Sequence, residues 1–205
     1  MIKGNINEFK TTLFPVIVNN DEYLFENPML KDIYDNFNGG LFWNGSLLIR
    51  PIVKTINSLY TVSEWNEETL WKKYYGDICK DIIFFGEDVF GCQFGVQGNN
   101  IIQFDPETAN ITVISDSVDG WCSEIISDPA YYTGYSILSK WENENHKLEL
   151  GYKLMPKQFF IFGGEFSSEN MCYKRDAESM LIRGQIWEKI KDIPDGQTIE
   201  FIGDE

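Results

Sequence analysis

The sequence predicts an α+β single domain built on an antiparallel β-meander. Three observations carry this. Helical periodicity comes first in the chain, then a run of short strands joined by tight turns, then helices mixed with strands, an order that gives α+β rather than a doubly wound sheet. The 205 residues fit one domain, with no linker, repeat or low-complexity stretch to divide them. Hydrophobic residues make up 43% and aromatics 15%, enough for a sizeable core despite a net charge of -15.

Met1 to Glu26 has weak periodicity and reads as an irregular arm with a short strand or turn. Asn27–Phe37 is an amphipathic helix: Asn27 can cap it, Pro28 suits its first position, and Met29, Ile33 and Phe37 recur every four residues. Asn38-Gly39-Gly40 ends it. Leu47–Val53 reads as a strand, with Pro51 marking an edge or an end. Glu67–Tyr75 reads as a second helix with Leu70, Trp71, Tyr74 and Tyr75 inward.

Ile82–Phe85 is a continuous apolar run, consistent with a buried strand. Cys92, Phe94 and Val96 alternate with Gln93, Gly95 and Gln97, the period of a half-buried strand. Gly98-Asn99-Asn100 is turn chemistry, Ile102 and Phe104 continue the apolar face, and Asp105-Pro106-Glu107-Thr108 is a turn with proline at its second position. Ile111–Ile114 is a β-branched strand, which completes the meander. Asp119 can cap a short helix carrying Trp121, Cys122, Ile125 and Ile126. Asp128-Pro129 restarts a helix with Tyr131, Tyr135, Leu138 and Trp141 on one side. Tyr152–Met155, Phe159–Phe162 and Met171–Lys174 read as short strands, with a turn at Gly163-Gly164. A last helix from Asp176 puts Ile182, Ile186 and Ile190 on its core face; Ile193-Pro194-Asp195-Gly196 stops it, and Thr198–Ile202 closes the chain as a strand.

The charge is unevenly placed. From Asp81 to Ser139 there is no lysine, arginine or histidine, where about five Lys or Arg would be expected from the chain's average. The stretch holds nine acids: Asp81, Glu87, Asp88, Asp105, Glu107, Asp116, Asp119, Glu124 and Asp128. Strong acidity disfavours binding to nucleic acid or anionic membrane and suits a basic protein partner; its bland function is solubility.

Other chemistry finds little material. The four cysteines include no C-x-x-C pair and the single histidine is His146, so zinc has few ligands available and no cofactor is expected. Cys92 and Cys122 read as buried free thiols. His146 lies in a polar helix end and reads as solvated. No G-x-S-x-G or phosphate-loop spacing occurs. Glu87 with Asp88, or Glu165 with Glu169, could form a carboxylate pair for a hydrolase, but such pairs arise by chance among 32 acids. The six tryptophans read mostly as core, with Trp43 and Trp65 as candidates for exposed recognition. There is no signal-peptide plan and no apolar run of membrane-spanning length, so a cytoplasmic location is expected.

Several local patterns together resemble the SUKH superfamily, which includes a yeast cell-wall-synthesis regulator and many bacterial immunity proteins. They are Phe85-Gly86-Glu87-Asp88-Val89-Phe90-Gly91-Cys92-Gln93-Phe94; the strand ending in Phe104-Asp105-Pro106-Glu107-Thr108; Phe162-Gly163-Gly164-Glu165-Phe166, followed by Glu169-Asn170-Met171-Cys172-Tyr173; and Arg183-Gly184-Gln185-Ile186-Trp187, leading to Asp192-Ile193-Pro194-Asp195-Gly196. The likeness covers Asp81 to Gly196 well and the first third loosely, and Asn44–Trp65 departs from it. It implies one curled sheet wrapped by helices, no catalysis, and binding to a cognate toxin such as a nuclease or deaminase. Combined with the charge, it makes Glu87, Asp88, Asp105, Glu107, Asp116 and Asp119, with Glu165 nearby, the expected steering surface for a basic toxin. A regulatory adaptor and a carboxylate hydrolase are the rival expectations.

Overall fold

Seven strands follow one another in a single antiparallel sheet, each paired to the next in the chain: β1 (Thr11–Leu13), β2 (Gly40–Phe42), β3 (Leu47–Ile49), β4 (Ile82–Asp88), β5 (Gln93–Gln97), β6 (Asn100–Phe104) and β7 (Ile111–Ser115). A computed structural model describes residues 11–13, 26–35, 38–54, 56–194 and 196–197. A separate hairpin pairs β8 (Tyr152–Pro156) with β9 (Met171–Arg175). Among the described residues the α-helices are α1 (Pro28–Tyr34), α2 (Val62–Trp65), α3 (Val118–Ser127), α4 (Pro129–Thr133), α5 (Tyr135–Glu144) and α6 (Asp176–Ile190). The predicted α+β meander is therefore present and extends three strands further toward the N-terminus.

Local chemistry accounts for the turns. Gly98, with φ +58°, and Asn99 close the β5–β6 hairpin, whose last pair is Gln97 with Asn100. Asp105 holds the β6–β7 turn by accepting from Glu107 N at 2.9 Å and Thr108 Oγ1 at 2.7 Å. Asn27 caps α1, accepting from Met29 N and Leu30 N, and Pro28 opens it. Phe37, expected at the end of that helix, and the expected closing strand at Thr198–Ile202 lie outside the described residues, as does most of the N-terminal arm.

The sheet is covered on both faces, which corrects the half-buried reading of β5. Phe94 and Val96 of β5 join Phe85, Ile101, Trp121 and Ile125 in one core. Ile82, Phe84, Ile102 and Phe104 point the other way, into a second core with Trp65, Trp71, Tyr75 and Met180. Gln93 therefore has water on neither side and is fully buried. Gly95 leaves room for the second core: a Cβ there would stand 2.6 Å from Ile82 Cγ2 and 2.9 Å from Phe84 Cδ1.

Other departures have similar causes. Glu67–Tyr75 is no α-helix but a chain of turns with a 3-10 stretch at Lys72–Tyr74; burial of Trp71 and Tyr75 matches the expectation, without its regular helix. The α-helix there is the shorter α2, opened by a reciprocal box in which Thr61 Oγ1 accepts from Glu64 N and Glu64 accepts from Thr61 N. Trp65, a candidate exposed aromatic, is fully buried, and Trp43 is half-buried. Ser117 rather than Asp119 caps α3. Asp128 caps α4 as expected, but Gly134 at φ +71° ends it and a new helix starts at Tyr135. That break leaves Tyr131 73% exposed while Leu138 and Trp141 stay buried. Phe159–Phe162 forms a 3-10 turn, not a strand. In α6 the buried face is Asp176, Ser179, Met180, Arg183 and Gly184, so Ile182, Ile186 and Ile190 are only half-buried.

Candidate functional site

The predicted steering acids separate into an internal group and an external one. Glu87, Asp88 and Glu107 are buried and so leave the steering surface, a correction to the sequence reading. Glu87 lies on β4, on the face that carries Phe84 toward the second core. Its Oε1 meets Arg50 Nη2 at 2.7 Å and Lys153 Nζ at 3.2 Å, and its Oε2 accepts from Gln93 Nε2 at 2.9 Å. Arg50 reaches across to Asp176 Oδ2 at 3.2 Å, tying the end of β3 to the start of α6. Its guanidinium lies 3.4 Å from the centroid of the Trp65 ring, and Trp65 Nε1 donates to Gln93 Oε1 at 2.8 Å.

This network sets the protonation of its members. Burial works to raise the Glu87 carboxyl, but Arg50 and Lys153 beside it hold it below the usual carboxylate range. Asp176 shares Arg50 at greater distance, and burial raises it. Among the described residues Asp88 meets no cation directly; burial pushes it up to about 7, against the pull of the Cys92 and Phe90 amides and of Lys153. Its Oδ1 accepts from Phe90 N and Cys92 N, each at 2.9 Å, which folds the Val89–Cys92 turn.

Glu107 holds a different junction. Its Oε2 accepts from Phe160 N at 2.9 Å and Ile161 N at 3.4 Å, while Arg183 Nε stands 3.9 Å from Oε1. Burial raises its carboxyl despite Arg183. It sits on the wall of a groove of about 1100 Å³ whose apolar lining includes Phe159, Ile161, Ile186, Trp187 and Ile190. The isoleucines assigned to the core of α6 thus partly line a groove instead.

Asp116 and Asp119 are exposed, between the end of β7 and the first turn of α3; Glu124 and Asp128 of the same base-free stretch are exposed further along. Asp105 is half-buried in its turn. Glu165 is exposed but stands on the β8–β9 connection, beside Phe166, which packs on Phe90 and Phe160. The exposed acids of the base-free stretch that follow β7 therefore lie just past that strand, on α3 and at the N-cap of α4, the helix on which Tyr131 is also exposed.

The sequence reading missed Arg50, Lys153, Arg183 and Gln93. One signal was available: an arginine between Ile49 and Pro51 at the end of an apolar strand, where a charge must find a partner. All four cysteines are free, and Cys122 is buried as expected. His146 is exposed, edge-on to Trp141 and Tyr173. Among the described residues no three or more His, Cys, Asp or Glu side chains cluster as a metal site, and no helix is long and apolar enough to cross a membrane.

With this geometry in view, comparison with solved structures identifies an α+β class of fold shared with a bacterial protein. The crystal structure of Atu4351 from Agrobacterium tumefaciens matches with a TM-score of 0.59 at 13% identity, covering 90% of this chain and 89% of that one. At that identity the likeness is one of fold alone. No protein-family model matches the chain, and no curated protein matches it.

Proposed function

We propose that this is a non-enzymatic, cytoplasmic immunity protein of SUKH type that binds and neutralises a basic toxin domain, a nuclease or deaminase. The observation that carries the reading is the exposed set Asp116, just past β7, Asp119 and Glu124 on α3, and Asp128 at the N-cap of α4, in a stretch with no lysine, arginine or histidine. Such a face speeds encounter with a cationic protein and repels nucleic acid, so it acts on the toxin and not on the toxin's substrate. Tyr131 beside it offers an exposed aromatic anchor, which affinity requires in addition to charge. The four motifs that resemble the superfamily add to the reading.

The carboxylates with raised protonation already have internal duties. Asp88 holds two amides of its turn and Glu107 two amides of the Phe160–Phe162 turn. These bonds weigh against a hydrolase built on either. A regulatory adaptor is the second reading, favoured by the apolar groove along α6, which suits a hydrophobic segment of a cellular protein. The test is co-expression with the C-terminal domain of a toxin whose gene is found beside this one. The immunity reading expects co-purification and rescue of growth, with D116K/D119K/E124K losing both; failure of the native chain to bind or rescue would refute it.

A further inference from the structure

Among the described residues the sheet ends at β7, and that end is open. Every backbone pair of Ile111–Ser115 is with β6, and among the described residues no hydrogen bond joins its other side to another element. Thr112 and Val113 are exposed, Val113 by 58%. Proteins ordinarily blunt such an edge with lysine, proline, a bulge or a covering element, because its free N–H and C=O groups template another strand. β7 has neither lysine nor proline. Its bulge falls at Ile114, between the Ile102–Val113 and Ile101–Ser115 pairs, and leaves Ile111–Val113 in regular register.

We propose that the outer edge of β7 receives an extended, lysine- or arginine-bearing segment of the partner as an additional strand of the sheet. The inference rests on the basic-partner reading above and names how that partner docks. Charge selects the occupant. Asp116 and Asp119 stand exposed just past the strand, half-buried Asp105 precedes it, and no cation occurs in β7, its turn or α3. Lys157 lines the groove beside Thr108 and Asn110, so the attraction is directed to the Asp116 end. A second copy of this chain would bring a net charge of -15 and the same acids to the edge. The chain's own last residues, Thr198–Glu205, carry Glu200, Asp204 and Glu205 and no base. A basic strand alone combines ladder hydrogen bonds with charge pairing; in such strand addition the main chain supplies affinity and alternate side chains supply specificity.

The probe is a fluorescein-labelled ten-residue peptide alternating lysine and valine, titrated by anisotropy against the full chain. Two controls are the same peptide N-methylated at alternate amides and a glutamate–valine peptide. Binding of the first alone is expected, with roughly tenfold loss on N-methylation and a similar loss in D116K/D119K whose circular dichroism is unchanged. Equal binding of the N-methylated peptide would leave only non-directional charge attraction and overturn the strand-addition inference. So would a chain that binds only after removal of 198–205, or one that dimerises until V113K breaks the dimer, since each names another occupant. Toxin binding that survives V113K would overturn the inference while leaving the proposed function standing.

Discussion

Arg50 is held by two carboxylates and one indole face, and among the described residues its Nε has no hydrogen-bond partner. Arg50→Met would keep much of the packing on Trp65 but leave Glu87 with Lys153 alone and Asp176 with no guanidinium. Breaking a buried pair from one side typically costs about 3–5 kcal/mol, and a loss in that range is expected from urea unfolding. A loss below about 1 kcal/mol would mean that the network is easily replaced. Asp88 gives a second prediction, with the opposite sense to a paired carboxylate. Its folded value, about 7, lies above the ordinary 3.8, so the folded state holds a proton that the unfolded state releases between them. Its contribution to stability therefore falls as pH rises from about 4 to about 7. Asp88→Asn keeps an oxygen for the Phe90 and Cys92 amides and has no charge to bury. The variant is expected to gain on the native chain over that window by more than about 1 kcal/mol, read from paired urea titrations at pH 4 and pH 8. A pH-independent difference would contradict the assignment.

At the scale of the element, Gly134 decides how α4 meets α5. Its φ of +71° favours glycine, and a Cβ would stand 2.3 Å from the Phe90 ring and 2.7 Å from Val89 Cγ1. Gly134→Ala is expected to cost more than about 2 kcal/mol through backbone strain and overpacking together, measured as a lowered urea midpoint. The joint also shows what was legible in advance. Asp128-Pro129 announces a helix start, because capping and the proline at the first position are local properties. The split at Gly134 is set by Phe90, more than forty residues away in sequence, and periodicity alone ran one helix through it. The same division runs through the meander. Its turns at Gly98-Asn99 and Asp105–Thr108 were readable from turn chemistry, as was the burial of Phe94 and Phe104. That a second core would cover the other face of β5 depends on Trp65, Trp71 and α6, which no local pattern of β5 contains. The expected acidic surface divided for the same reason. Asp116 and Asp119 follow a strand end and stay outside, whereas Glu87 and Glu107 find cations just past β3, in β8 and in α6 that a count within one segment omits.

For the whole molecule, the net charge of -15 has two consequences of opposite sign in salt. Like charges repel within the folded chain, so screening stabilises it; opposite charges attract across an encounter, so screening slows it. Raising NaCl from about 10 mM to about 500 mM, over which the Debye length falls from about 30 Å to below 10 Å, is expected to raise Tm and to lower the association rate with a basic toxin domain. The triple variant D116N/D119N/E124Q separates the two. If these acids serve only solubility, it will change the salt dependence of Tm and leave that of association as in the native chain. If they steer a partner, the association slope must flatten most, because these three charges face the partner while the rest of the net charge is distributed elsewhere. Buried Glu87 makes an internal reference: it is paired with Arg50 and Lys153 within the fold and projects little field outward. Glu87→Gln should therefore lower stability but leave the salt slope of association unchanged, and a slope that moved as far as in the triple variant would show that the field is not local to β7 and α3.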